Sequence, residues 1–197
     1  TVVGDFSKEV ASFVGYNAKV VLPATHDTAS AVIATPLKGQ TPYISSGTWS
    51  LLGVEQNNAF TSDKAMASGY SNEGGLNFTF RLQKNIMGLW MIQSVRYEFP
   101  EAFPEQYPEL LSFGEICGMA AKETIESIVD CNDDCFLAPK SMIQAVKDFC
   151  ANTNQQVPET VGEIASVIYN SLAKCYGNTI AGLENVTVNV YVDGLEK

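Results

Sequence analysis

The sequence predicts an α/β protein in which a β-hairpin leads a mixed sheet with flanking helices, and three observations carry that reading. Short β-branched runs alternate with longer stretches of helical apolar spacing. The segment "YISSGTWSLLGVE", residues 43–55, holds two strand-like pieces pinched at Ser46-Gly47, the pattern of a tight hairpin. The elements run strand and helix, three strands, several helices, then a strand, which suits helices layered on a sheet.

Taken in order, "AKVVLPAT" reads as a short strand, and Asp27 to Ile33 as a helix whose small residues permit close packing at its start. "TPLKGQTP" is turn-rich, with Pro36, Gly39 and Pro42 close together. A domain boundary is expected there, giving domains 1–37 and 38–197. The hairpin strands are Tyr43 to Ser45 and Trp49 to Val54, and "LNFTFRL", alternating around Phe78 and Phe80, is expected as the third strand. From Asn85 the spacing turns helical, with Ile86, Leu89, Ile92 and Val95 recurring every three residues. Pro100, Pro104 and Pro108 are expected to end that helix, because a proline ring has no N–H to donate and crowds the preceding turn. Helices follow near 112–124 and 140–151. A longer one starts at Thr160, where Thr160 and Glu163 form a capping-box signature and Ile164, Ile168, Leu172, Cys175, Ile180 and Leu183 line an inward stripe. "VTVNVYVDG" is expected as a final strand.

Composition narrows function. With 46% hydrophobic and 17% charged residues among 197, the chain has enough apolar material for a substantial core. Its 12 Lys and Arg against 22 Asp and Glu give a formal charge of -10, unsuited to tracking nucleic-acid phosphates or an anionic membrane surface. No apolar run approaches the roughly 18 residues of a membrane span. Five cysteines at irregular spacing form no disulfide framework and point to the cytoplasm. Cys131 and Cys135 lack the further Cys or His partners of a zinc site, and read as free thiols.

Three clusters could carry chemistry. In "PATHDTASAV" the only histidine precedes an aspartate at a strand end: Asp27 could take a proton from a bound hydroxyl, or simply cap the helix. His26 could donate to a polyol oxygen or serve structurally. In "SSGTWS" a Ser-Gly-Thr turn offers backbone N–H groups and a hydroxyl of the kind that cradles phosphate, although it is neither a Walker motif nor G-x-S-x-G. A Ser-His-Asp triad fits badly, since the side chains of the neighbours His26 and Asp27 would diverge and no other histidine exists. In "KNIMGLWMIQ" Asn85 is expected at a helix start with Gln93 two turns on, two amides suited to a sugar and a nucleotide or to a plain capped helix.

These clusters, with "THDTASAV", "SSGTWSL", "NEGG", "KNIMGLW" and "NDDCFLAP" in this order, resemble the sugar kinases of the FGGY family over most of the chain. The resemblance implies a ribonuclease-H-like, actin-like ATPase fold and transfer of the ATP γ-phosphate to a ketose, with Mg²⁺ alongside the nucleotide. It implies Asp27 as the catalytic base, with His26, Asp27, Thr28 and Asn85 binding the sugar. Gly47, Thr48 and Gln93 would meet ATP, and the magnesium, for which no ligand is certain, would sit near Asp27. Residues 1–37 would end the sugar-binding first domain and 38–197 would make up most of the ATP-side second domain. An N-terminal kinase domain would be missing, and the chain alone is expected to be inactive.

Overall fold

The computed structural model describes residues 1–22, 26–37 and 41–186. The chain divides into two compact units, Thr1–Leu37 and Lys38–Lys197.

In the first unit, β1 (Val2–Asp5) pairs antiparallel with β2 (Lys19–Val21), with a bulge between Val2 and Gly4. Lys19 faces Asp5 in that register and bonds it at 2.7 Å. Between them runs α1 (Lys8–Val14), opened by Ser7, whose hydroxyl accepts from the Val10 N–H, and closed by Gly15 at a φ of 83° that glycine adopts without steric cost. No α1 residue is buried, and Phe13 is 91% exposed. α2 (Asp27–Ala34) buries Thr28 and Val32. The helix expected over 27–33 is therefore present. The strand expected over 18–25 is shorter, and residues 23–25 lie outside the described ones.

The second unit is built on a four-stranded antiparallel sheet: β3 (Tyr43–Ser46), β4 (Ser50–Gln56), β5 (Ser71–Gly74) and β6 (Phe80–Ile86), in the order β3-β4-β6-β5. The short α3 (Asp63–Ala67) joins β4 to β5. Residues paired in register share a face. One face carries Leu52, Val54, Leu82 and Ile86, all fully buried under the helices. These are α4 (Trp90–Ala102), α5 (Phe113–Ala120), α6 (Met142–Asn152) and α7 (Val161–Val186). α7 is bolted to the sheet by two hydroxyl contacts, Ser50 to Tyr176 at 2.7 Å and Tyr70 to the Thr179 carbonyl at 2.7 Å. Its start is the expected capping box: the Glu163 N–H donates to Thr160 Oγ1, and the Thr160 N–H to Glu163 Oε2. Ile164, Ile168, Leu172 and Leu183 of the expected stripe are buried, with Cys175 and Ile180 packed beside them.

The opposite face is polar. Arg81 bonds Glu73 at 2.9 Å, Gln83 donates to Glu73 and Tyr43 donates to Gln83, with Arg81 and Gln83 almost fully buried.

Three expectations are corrected. Asn85 does not start a helix: pairing of Asn85 with Leu51 and Ile86 with Ser50 holds both residues in β6, and α4 begins at Trp90. The three-residue spacing from Ile86 to Val95 thus spans a strand and a helix, both buried for their own reasons. Pro100 lies inside α4, which ends two residues later at Ala102. It falls in the last turn, where Phe99 is fully buried and the Phe103 N–H still reaches the Phe99 carbonyl at 2.8 Å. The third strand starts at Phe80 rather than Leu76, because Asn77 and Phe78 take positive φ values of 54° and 65° in a turn. β5, in "SNEGG", is an additional edge strand. Of the closing strand expected over 186–194, Val186 ends α7, and the remainder lies outside the described residues.

Candidate functional site

His26, not Asp27, caps α2: its Nδ1 accepts from the Ala29 N–H at 3.2 Å. The same Nδ1 lies 3.8 Å from Asp27 Oδ1. Asp27 occupies the first helical position, its side chain fully exposed. Oδ1 accepts from the Thr28 N–H at 2.7 Å, which orients the carboxylate. Thr28 is buried. The capping alternative for Asp27 is thereby taken up by its neighbour.

In the second unit the hairpin turns through Gly47, Thr48 and Trp49, closed by the Ser46–Ser50 pair. The turn docks against the junction of β6 and α4. The Leu89 N–H donates to the Gly47 carbonyl at 2.9 Å and the Trp90 N–H to the Thr48 carbonyl at 3.0 Å. A helix start leaves such N–H groups without intrahelical partners, and α4 has no side-chain cap, so the hairpin supplies it. From the other side, Asn132 Oδ1 accepts from the Met87 N–H at 3.3 Å and Trp90 Nε1 donates to the Phe136 carbonyl at 3.2 Å.

Gly47 and Thr48 are therefore held beside the junction, and both are exposed. Asn85, also exposed, stands on β6 opposite Leu51, one residue into β4 from the hairpin turn. Gln93 is half-buried one turn into α4, its N–H on the Leu89 carbonyl at 2.9 Å. The two amides do not share a helical edge. His26, Asp27 and Thr28 belong to the first unit.

Sequence reasoning missed the junction itself, Gly88 to Trp90, and the support given by Asn132 and Phe136. A glycine amid large apolar residues in "NIMGLW" was the available signal, since such a position marks close backbone approach. In "CNDDCF" the aspartate Asp133 caps a single 3₁₀ turn, Asp134–Phe136, and the Cys135 N–H it accepts holds its carboxyl below the usual carboxylate range. Cys131 is fully buried, which pushes its thiol up to about 12.

The first unit carries His-Asp-Thr at the start of α2, and the second carries a hairpin-led sheet with an exposed Gly-Thr turn. No family model matches the chain. Among curated proteins it is 42% identical, over 94% of its length, to the rhamnulokinase of Oceanobacillus iheyensis. It is 44% identical over 89% of its length to that of Ligilactobacillus salivarius, and 42% identical over 86% to that of Bacillus subtilis. The chain is a relative of rhamnulokinases, and it spans 38%, 35% and 34% of the length of these three. Among the described residues no helix is long and apolar enough to cross a membrane.

Proposed function

We propose that the protein to which this chain belongs is a cytoplasmic, ATP-dependent kinase that transfers the γ-phosphate to L-rhamnulose, giving L-rhamnulose 1-phosphate. The observation that carries the reading is the identity with rhamnulokinases along nearly all of the chain. Residues 1–37 serve as the end of the sugar-binding domain and 38–197 as the ATP-side domain of a protein that also has an N-terminal kinase domain.

In this reading Oδ2 of Asp27 takes the proton of the sugar hydroxyl as its oxygen attacks the γ-phosphorus, and the bond to the ADP oxygen breaks. Thr28 N–H keeps the carboxylate aimed. His26, Thr28 and Asn85 line the sugar. Gly47 and Thr48 take the phosphates, and Gln93 lies on the nucleotide side. Magnesium is commonly held by one or two carboxylates together with substrate phosphates, which suits the single exposed carboxylate of Asp27. When bound, the ion neutralises charge developing on the transferred phosphoryl group.

The direct test is an assay of the full-length protein with ATP, Mg²⁺ and a panel of ketoses and polyols. Rhamnulose is expected to give the highest kcat/KM. A preference for another ketose or polyol would move the substrate, and no turnover on any would favour a sugar- or nucleotide-binding module of the same fold.

A further inference from the structure

Gly88 lies where the end of β6 passes the hairpin, and a side chain there has no room. A Cβ on Gly88 would stand 2.5 Å from the Ser50 nitrogen, 2.7 Å from the Trp49 carbonyl carbon and 2.8 Å from the Gly47 oxygen. All three are backbone atoms, which cannot swing aside as a side-chain tip can. The glycine therefore sets how closely the junction and hairpin meet, and so whether the Leu89 and Trp90 N–H groups reach the Gly47 and Thr48 carbonyls.

That contact has a consequence for the far side of the turn. In a trans peptide the C=O of one residue and the N–H of the next point in opposite directions. With the Gly47 and Thr48 carbonyls drawn in to the junction, the Thr48 and Trp49 N–H groups are turned away from it. Among the described residues neither of these N–H groups donates to a protein acceptor. Two successive outward amides beside a threonine hydroxyl make an anion-binding concavity.

We infer that Gly88 is a positioning residue for the nucleotide phosphates: by admitting the junction against the hairpin it locks two carbonyls inward and two amides outward. This rests on the phosphate role proposed above for the hairpin. Gly88 itself touches no phosphate.

The test uses the full-length protein with Gly88→Ala, and with Gly53→Ala for comparison. Gly53 is equally crowded, 2.4 Å from the Leu82 oxygen, but lies within the sheet. Gly88→Ala is expected to raise KM for ATP and Kd for ADP about tenfold while KM for the sugar changes less than twofold. Amide hydrogen exchange at Leu89 and Trp90 is expected to accelerate at least tenfold. In Gly53→Ala the two KM values should move together. Should Gly88→Ala fail to fold, Asn132→Ala releases the Met87 N–H from the opposite side and is expected to shift KM for ATP and the same two amides by about threefold. Unchanged exchange at Leu89 and Trp90, or equal changes in both KM values, overturns the inference. A wild-type protein without kinase activity overturns the functional reading instead, and the exchange and ADP measurements still report on the clamp.

Discussion

The phenol of Tyr43 reaches over β4 to donate a 2.8 Å hydrogen bond to Oε1 of Gln83, across the register position occupied by Gly53. The bare glycine leaves the ring its path: a Cβ there would stand 2.6 Å from that of Gln83. Burial pushes the Tyr43 phenol from its ordinary 10 up to about 12, outweighing the lowering effect of nearby Arg81. The unfolded chain releases this proton first. The contribution to stability is therefore fully present below pH 10 and is lost as pH rises toward 12, on the order of 2 kcal/mol in all. Tyr70, pushed up to about 12 by burial, acts in the same direction. Urea midpoints between pH 8 and 12 should fall steeply above 10. Tyr43→Phe should cost about 1 kcal/mol at pH 8 and flatten the fall; an identical fall in the variant would assign it to other groups.

Glu98 ties α4 to the start of α6. Its Oε1 accepts from the Met142 N–H at 2.7 Å, and its Oε2 from the Ile143 N–H at 3.2 Å and the Ser141 hydroxyl at 2.6 Å. A carboxylate at a helix start meets both unsatisfied N–H groups and the positive end of the helix dipole. Glu98→Ala is expected to destabilise by about 2 to 3 kcal/mol, with Glu98→Gln losing roughly half as much. Chemical denaturation of the three proteins checks the order; a neutral Glu98→Ala would mean that Ser141, which accepts from the Gln144 N–H, caps α6 sufficiently by itself.

The parts of the fold legible in sequence were those with a local chemical mark. Thr160 and Glu163 declare a helix start by themselves, and Ser46-Gly47 a hairpin. Asn85 was misread because nothing near it in sequence records its pairing with Leu51, thirty-four positions earlier. β-pairing overrode a helical spacing there, as tertiary context routinely does. Pro100 marks a helix end only approximately, since the last turn tolerates a missing donor when Phe99 packs in the core. At the candidate site, the residue types in "THDT" and "SSGT" are readable and the glycine of "NIMGLW" marks a close approach, whereas the hairpin backbone that it approaches lies about forty positions earlier and is set by tertiary pairing.

Phe78 is a place where sequence and local geometry disagree. It is 97% exposed and adopts a φ of 65°, following Asn77 at 54°, in the turn between β5 and β6. A side chain with a Cβ costs roughly 1 to 2 kcal/mol in this left-handed region, and a solvent-facing ring returns nothing from burial. The turn is held around it, with the Thr79 hydroxyl bonding the Leu76 carbonyl at 2.6 Å and Glu55 at 2.5 Å. Phe78→Gly is expected to raise stability by about 1 kcal/mol, reduced from the full strain by the greater freedom of glycine in the unfolded chain. Thermal unfolding would read this as an increase in Tm. A decrease would mean that the ring packs on something in the intact protein.

Thr48→Val separates the hydroxyl of the hairpin from its backbone. Valine keeps the β-branched shape, and the Thr48 carbonyl still meets the Trp90 N–H. ATP binding should weaken by about 1 to 3 kcal/mol if the hydroxyl bonds a phosphate, with sugar KM unchanged. Steady-state kinetics with each substrate varied in turn makes the distinction. A rise confined to sugar KM assigns the turn to the other ligand.

Asp27→Asn changes the least and asks the most. The amide is isosteric, and an Asn Oδ1 can still accept from the Thr28 N–H, so α2 keeps its start, which in any case His26 caps through the Ala29 N–H. What disappears is the capacity of the second oxygen to hold a proton. In the full-length protein, turnover should fall at least about a hundredfold, the lower end of what a general base contributes. The unfolding midpoint should stay within about 0.5 kcal/mol of wild type, the usual range for an exposed substitution. Loss of turnover without loss of stability is the signature of a chemical role. Near-normal turnover would remove Asp27 from the mechanism, and a matching fall in stability would return it to the structural role that its place at the helix start first suggests.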